Sequence, residues 1–237
     1  MLPYLLRYAH RLIGLFVVLP VLLLVVTGLP LQFTNALQLG KLGIQATWLH
    51  RAYGIKAPMD VLTSNGVTQI GDIAVVANRP ISLNGTLCGV LVQEQLTVVL
   101  SSAEVVLVPT HLDIPVERNV LNSVPLRCGV SSAGALVLDL RQGQQSSMDI
   151  GVTWLPSLST DVQWYQVSTQ PISKQHEQVF GASKLSWERW LQDLHSGRFF
   201  GDLGVWIMSF AGLALVVLGL SGVMIWFASR RPPAPPR

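Results

Sequence analysis

Five histidines and two cysteines are the residues of this 237-residue chain best suited to chemistry. Neutral imidazole is a common metal ligand and the usual axial ligand of haem b. A histidine at a membrane boundary can equally be an amphipathic anchor among headgroups. His111 lies in a Pro-Thr-His-Leu-Asp loop and His176 among glutamines, so both read as solvent-exposed. His10, His50 and His195 instead stand beside apolar segments, where an ionisable group facing a bundle is costly and frequently functional. Cys88 and Cys128 lack Cys-x-x-Cys spacing, which excludes a thioredoxin-type motif and gives no zinc pattern. Facing an oxidising compartment they would most simply form a disulfide, the alternative being two buried free thiols.

These residues need elements to place them, and composition gives the class. The chain is half hydrophobic and only 12% charged, which fits membrane spans plus one extramembrane domain. A net charge of +3, with arginines gathered at both ends and no basic patch interleaved with aromatics, argues against nucleic-acid binding. Leu12 to Leu31 is an apolar run too long for a signal-peptide core and lacks an Ala-x-Ala site, so it reads as an uncleaved first span. Pro20 is a candidate kink, and Thr27, Gly28 and Pro30 weaken the far end of that span. Val205 to Ala228 carries no charge and is long enough to cross a bilayer. Trp187, Trp190 and Trp206 precede or open it as interfacial aromatics, and Arg230-Arg231 close it. Arg7 and Arg11 before the first span and Arg230-Arg231 after the second place both termini in the cytoplasm and the middle outside, the periplasm of a bacterial inner membrane.

The expected order is a cytoplasmic N-terminus and first span (1–33), then an interfacial amphipathic helix (34–60), with Leu37, Leu42, Leu49 and Tyr53 at roughly helical intervals. A periplasmic β domain (61–169) follows, then a helical lead-in (170–203) with one helix over Lys184 to His195. The second span (204–229) and a cytoplasmic tail (230–237) complete it. Period-two patterning predicts strands at Thr68–Ile70, Ile73–Val76, Leu87–Val92, Leu96–Leu100, Val105–Val108 and Ala135–Leu140. Turn chemistry separates them at Ser64-Asn65-Gly66, Asn84-Gly85, Ser101-Ser102 and Gln142-Gly143. Asn84-Gly85 predicts a two-residue hairpin. No repeat period persists. The fold class is thus membrane α + β: two transmembrane helices flanking a mostly antiparallel β domain.

Topology sorts the histidines. His10 at the cytoplasmic end of span one and His195 at the outer end of span two are separated by most of a bilayer and cannot grip one iron. His50 and His195 both belong to the outer surface and could converge on one haem, or on a partner subunit. Ser209, Gly212, Gly219, Ser221 and Gly222 would admit a flat macrocycle or another helix, or serve ordinary packing. Asp139, Asp149 and Asp161 read as solvated turn residues. No Ser-His-Asp order or glycine-rich phosphate loop supports a hydrolase or nucleotide enzyme.

At these residues the chain resembles the PepSY-associated transmembrane family of bacterial inner-membrane proteins. The resemblance is carried by His10-Arg11-Leu12-Ile13-Gly14, Thr27-Gly28, Leu194-His195-Ser196-Gly197 with Phe200-Gly201, and Leu220 to Trp226 followed by Arg230-Arg231. It implies His10 and His195 as the family's histidine positions, and a haem b electron-transfer role in redox or metal handling. The chain departs in having two spans where larger members have four, so a homodimer or a larger inner-membrane complex would supply missing walls and ligands. The alternative is a haem-free accessory subunit whose spans dock such a complex and whose β domain faces a periplasmic partner.

Overall fold

The computed structural model describes residues 2–111 and 114–229. The chain forms two compact units, one of Met1–Ile44 with Leu185–Arg237 and one of Gln45–Lys184. Arg230-Arg231, on which part of the orientation rests, lie outside the described residues.

The first unit is helical. Helix α1 (Leu2–Gln32) stays one helix with both Pro20 and Pro30 inside it. Phe33, whose N–H reaches the Pro30 carbonyl at 3.0 Å, ends it. The second long helix (Gly201–Ser229) begins three residues before the expected span. Both are long and apolar enough to cross a membrane, and in each most of the apolar window stays uncovered. What is covered forms a narrow seam: Val17 and Thr27 on one helix, Gly204, Ala211 and Ser221 on the other. Spacings of seven and ten, close to whole numbers of 3.6-residue turns, keep such a seam on one helix face.

Between these helices the chain is not continuously helical. The amphipathic helix expected over 34–60 is replaced by two short pieces, α2 (Thr34–Leu37) and α3 (Thr47–Ala52). The reason is competition for backbone groups. Gln38 turns into the left-handed region, and residues 39–44 then pair with 185–188 through Ile44 N–H to Leu185 O (2.9 Å) and Trp187 N–H to Leu42 O (3.0 Å). A helix over Lys184–His195 is likewise divided. Helix α4 (Lys174–Lys184) stops, Leu185 and Ser186 join that pairing, and α5 (Trp187–Ser196) starts afresh. The Ser186 side chain caps α5 by accepting from the Arg189 N–H. Gly197 ends α5 at φ 80°, and a Cβ there would lie 2.3 Å from the Gly204 carbonyl oxygen, so only glycine fits this corner. A short 3-10 turn (Arg198–Phe200) then leads into α6, the Gly201–Ser229 helix.

Among the described residues the second unit is a stack of three antiparallel sheets. The first contains β1 (Asp60–Ser64), β2 (Val67–Ile70), β3 (Ile73–Val76) and β4 (Arg79–Ser82). The second contains β5 (Leu87–Val92), β6 (Leu96–Ser101), β7 (Glu104–Pro109) and β8 (Glu117–Val120). The third contains β9 (Arg127–Ser131), β10 (Leu136–Leu140), β11 (Gly143–Ser147), β12 (Leu155–Ser157) and β13 (Val162–Trp164). The last strand, β14 (Ser168–Pro171), returns to pair with β1, giving the order β14-β1-β2-β3-β4. Each sheet is built around four consecutive strands in a meander, an architectural repeat that no sequence period announces.

The middle sheet explains the apolar runs. Val99 and Val106 point into a core shared with Val67, Ala74 and Val76 of the first sheet. Their neighbours Val98, Leu100 and Val105 point into a core shared with Leu136, Leu138 and Leu140 of the third. A strand buried on both faces loses its polar alternation and reads as a continuous apolar stretch. Cys88 on β5 and Cys128 on β9 are joined in a disulfide between the middle and third sheets, as expected from their number and setting.

Asn65-Gly66 makes the hairpin between β1 and β2, with Ser64 opposite Val67. Asn84-Gly85 does not make one, because β4 pairs only with β3 and β5 only with β6. It is instead the crossing from first to middle sheet. The Asn84 N–H donates to buried Glu104 at 2.8 Å, and the Gln69 amide donates to the Gly85 carbonyl at 2.8 Å. Glu104 also accepts from Arg118 at 2.7 Å, satisfying a carboxylate that is only 3% exposed.

The acids read as turn residues divide. Asp139 lies in β10 and pairs with Arg127 at 2.6 Å. Asp149 is a turn residue, and its Oδ1 accepts from the Thr153 N–H (2.8 Å) and the Ser147 hydroxyl (2.7 Å). The Thr153 bonds first, and then Ser147, pull its carboxyl down from 3.8 to about 2. A depressed carboxyl stabilises the fold above its unfolded value and loses that contribution as pH falls through the folded value. Amide exchange at Gly151 and Thr153 should therefore stay slow down to about pH 4 and accelerate toward about pH 2 beyond the intrinsic acid dependence. Unchanged protection at pH 2 would show that the turn does not rest on this carboxylate.

Candidate functional site

His10 and His195 are each held by a hydroxyl on a neighbouring helix. His10, on α1, places Nδ1 2.8 Å from Ser221 Oγ on α6. His195, in the last turn of α5, places Nδ1 2.9 Å from Thr27 Oγ1 on α1. The residue after each hydroxyl is glycine. A Cβ on Gly28 would lie 3.1 Å from His195 Cε1, and one on Gly222 would lie 3.7 Å from His10 Cε1. The same construction, an imidazole laid against a hydroxyl–glycine pair, thus occurs once with each end of α1.

The hydroxyl contacts fit one tautomer of each ring. A hydroxyl has one proton to give. Thr27 gives it to the Leu23 carbonyl at 2.6 Å, and Ser221 gives its proton to the Leu218 carbonyl at 3.1 Å. With the protons so placed each oxygen is free to accept from the imidazole, the arrangement in which a ring carries its hydrogen on Nδ1. In that tautomer Nε2 keeps its lone pair, and among the described residues Nε2 has no hydrogen-bond partner in either ring. An imidazole anchored through Nδ1–H and open at Nε2 is the usual state of a metal-ligating histidine.

One to two turns from Thr27 along the same face of α1, Leu19, Pro20 and Leu23 line a groove of about 420 Å³. Its other wall is Phe200, Leu203, Gly204, Ile207 and Met208, so every lining side chain is apolar. Thr27, which seats His195, thus lies one turn from Leu23 at the edge of an open apolar slot between two long helices.

The other histidines belong to the β unit. His50, on α3, is 4% exposed and belongs to the β unit, where its ring covers Gly181 of α4. A Cβ on Gly181 would sit 2.1 Å from the His50 ring. It is thus a buried residue of that unit, not a headgroup anchor. Gly181→Ala is expected to push the ring and α4 apart and destabilise the β unit by about 1–3 kcal/mol, read by urea unfolding. An unchanged midpoint would mean that α4 shifts without cost. His111 is exposed as expected, whereas His176 is half-buried at the start of α4. Among the described residues no three His, Cys, Asp or Glu side chains cluster as a metal site.

Thr27-Gly28 read from sequence as weak points of a helix, and Ser221-Gly222 as small residues that admit a macrocycle or another helix or serve ordinary packing. Their role as imidazole seats follows only from contacts between helices. The available signal was their place on the covered stripe, where a hydroxyl needs a partner.

No curated protein and no solved structure matches the chain. A family model described as the PepSY-associated TM region matches residues 5–229, a span that takes in both long helices, the three sheets and both histidine seats. With two membrane-crossing helices flanking an antiparallel β domain, the chain is a membrane protein and belongs to the PepSY-associated TM family.

Proposed function

We propose that the protein is an inner-membrane electron-transfer component that holds haem b through His195 at the outer leaflet and through His10 at the cytoplasmic side. The observation that carries this reading is the twice-built seat, in which hydroxyl and glycine leave Nε2 of each imidazole open. Haem bound there would supply a one-electron iron couple. The chain's own residues have separate tasks. Thr27 and Ser221 fix the ring tautomer and orientation, while Leu19, Leu23, Phe200 and Met208 keep water from the slot. The test is the spectrum of protein purified from membranes of haem-supplied cells. A reducible, low-spin b-type Soret band is expected, and its absence would overturn the reading.

Orientation is part of the proposal. Arg7 and Arg11 ahead of α1, with Arg230-Arg231 after α6, support cytoplasmic termini and a periplasmic β domain. A cysteine placed at Ser64 or Gln144 should react with a membrane-impermeant reagent in intact cells, and one after Pro232 should not. The reverse pattern would invert the topology.

A haem-free docking role keeps support from one feature of the β unit. Val124, Leu126 and Pro156 line an open pocket of about 640 Å³ on its third sheet, and Val124 and Leu126 are exposed. Arg141, Gln142, Gln144 and Gln145 line the same pocket, so its mouth is mixed, and a surface of this kind suits a partner protein; this reading would stand if no haem is found.

A further inference from the structure

We infer that two copies of the chain pair about a two-fold axis along the membrane normal, so that His195 faces the partner's His195 and His10 faces the partner's His10. The inference rests on the haem reading above and deepens it by naming the source of the second ligand at each seat.

A low-spin haem iron needs two strong axial ligands, and each seat offers one imidazole nitrogen. The helical unit contains two histidines in all, His10 and His195, since the other three at 50, 111 and 176 belong to the β unit. His10 and Thr27 are seventeen residues apart on one helix, roughly 25 Å at about 1.5 Å per residue. His10 and the His195 seated on Thr27 therefore cannot complete each other's coordination. His50 is buried against Gly181, with its ring committed to that contact.

Symmetry supplies what the single chain lacks. Copies inserted by the same signals share one orientation, so the axis relating them runs along the membrane normal. Rotation about such an axis keeps every residue at its own depth and pairs like with like. One operation therefore completes both seats. The surface required is present: α5 and the seam between α1 and α6 leave much of both long helices uncovered, and the apolar slot of Leu19, Leu23, Phe200 and Met208 stands open. Two copies give four spans around the two shared sites.

Cross-linking tests the pairing without haem. In native membranes, His195→Cys treated with a short bis-maleimide should yield a dimer of this chain. Val25→Cys, about 200° round α1 from Thr27, should yield far less. The native cysteines are paired and do not interfere. A monomeric His195→Cys band, or cross-linking to a different protein, overturns the inference. Mixed dimers test the shared ligand. Co-expressed wild-type and His195→Ala chains with different tags, isolated through both tags, should keep about half of the wild-type low-spin absorbance, because the single outer site needs both copies. Retention of about three quarters would mean that each copy completes its own outer site, which overturns the inference and leaves the haem reading intact. Cross-linked dimers from a protein without any Soret band would end the haem reading and still support the pairing.

Discussion

His195→Ala is expected to remove the outer low-spin site, while His111→Ala and His176→Ala leave the spectrum unchanged. The alanine takes away the ring whose Nδ1 meets Thr27 at 2.9 Å, and with it the open Nε2. Thr27→Val separates the ring's presence from its orientation. Valine keeps the shape at that buried position but offers the Nδ1–H no acceptor, leaving a polar group unsatisfied. Loss of such an outer hydrogen bond typically costs about 10–100-fold in ligand affinity, and the reduction potential should move with it. Thr27→Ser should restore both, because the hydroxyl returns. His50→Ala is the further control. Ligation by His50 within one chain predicts that His50→Ala and His195→Ala erase the same band, whereas a ligand from a second copy predicts that only His195→Ala does. If His195→Ala leaves spectrum, assembly and activity untouched, the seat is a helix-packing contact and the electron-transfer reading is lost.

Removing the Cys88–Cys128 bond is expected to lower the unfolding free energy of the β unit by about 2–4 kcal/mol. The bond closes a loop of sequence separation 40 and ties the middle sheet to the third across a core that includes Leu100, Leu136 and Leu138. Cys128 is 1% exposed, so alanine at both positions tests the bond more cleanly than serine, which would bury hydroxyls. Urea unfolding followed by tryptophan fluorescence reads the change, with Trp154 packed against this core as a reporter. Full alkylation of both thiols in denatured protein without reductant would show that the bond is absent in cells.

What could be read from the sequence follows from where each strand's side chains go. β2, β3, β5, β6, β7 and β10 carry the apolar residues of the two main cores, and their runs are visible as such. β11, with sequence GQQSS, and β14, exposed along its length, are held by backbone pairing to neighbours, which leaves no apolar pattern to find. Asn65-Gly66 and Asn84-Gly85 have the same chemistry and different outcomes, because a turn motif fixes local geometry and not which sheet the next strand joins. The same limit applied to the helical unit. The two spans follow from length and polarity, and His10 and His195 from residue type. The partners Ser221 and Thr27 lie 211 and 168 positions away, a distance that no local pattern spans.

The return of β14 to β1 has a consequence for how the protein is made. Asp60 pairs with Pro171, and Thr63 with Ser168, so the first sheet gains its last strand only after nearly the whole β unit has been synthesised. As the chain emerges, β1 keeps an open edge while the middle and third sheets are still being delivered. An open strand edge in a half-made domain is an aggregation hazard. Long-range closure of this kind also slows folding, since the loop must close before the contacts reward it. The first sheet is therefore closed only once β14 has emerged, and a chaperone or the membrane surface has a defined window in which to shield the β1 edge.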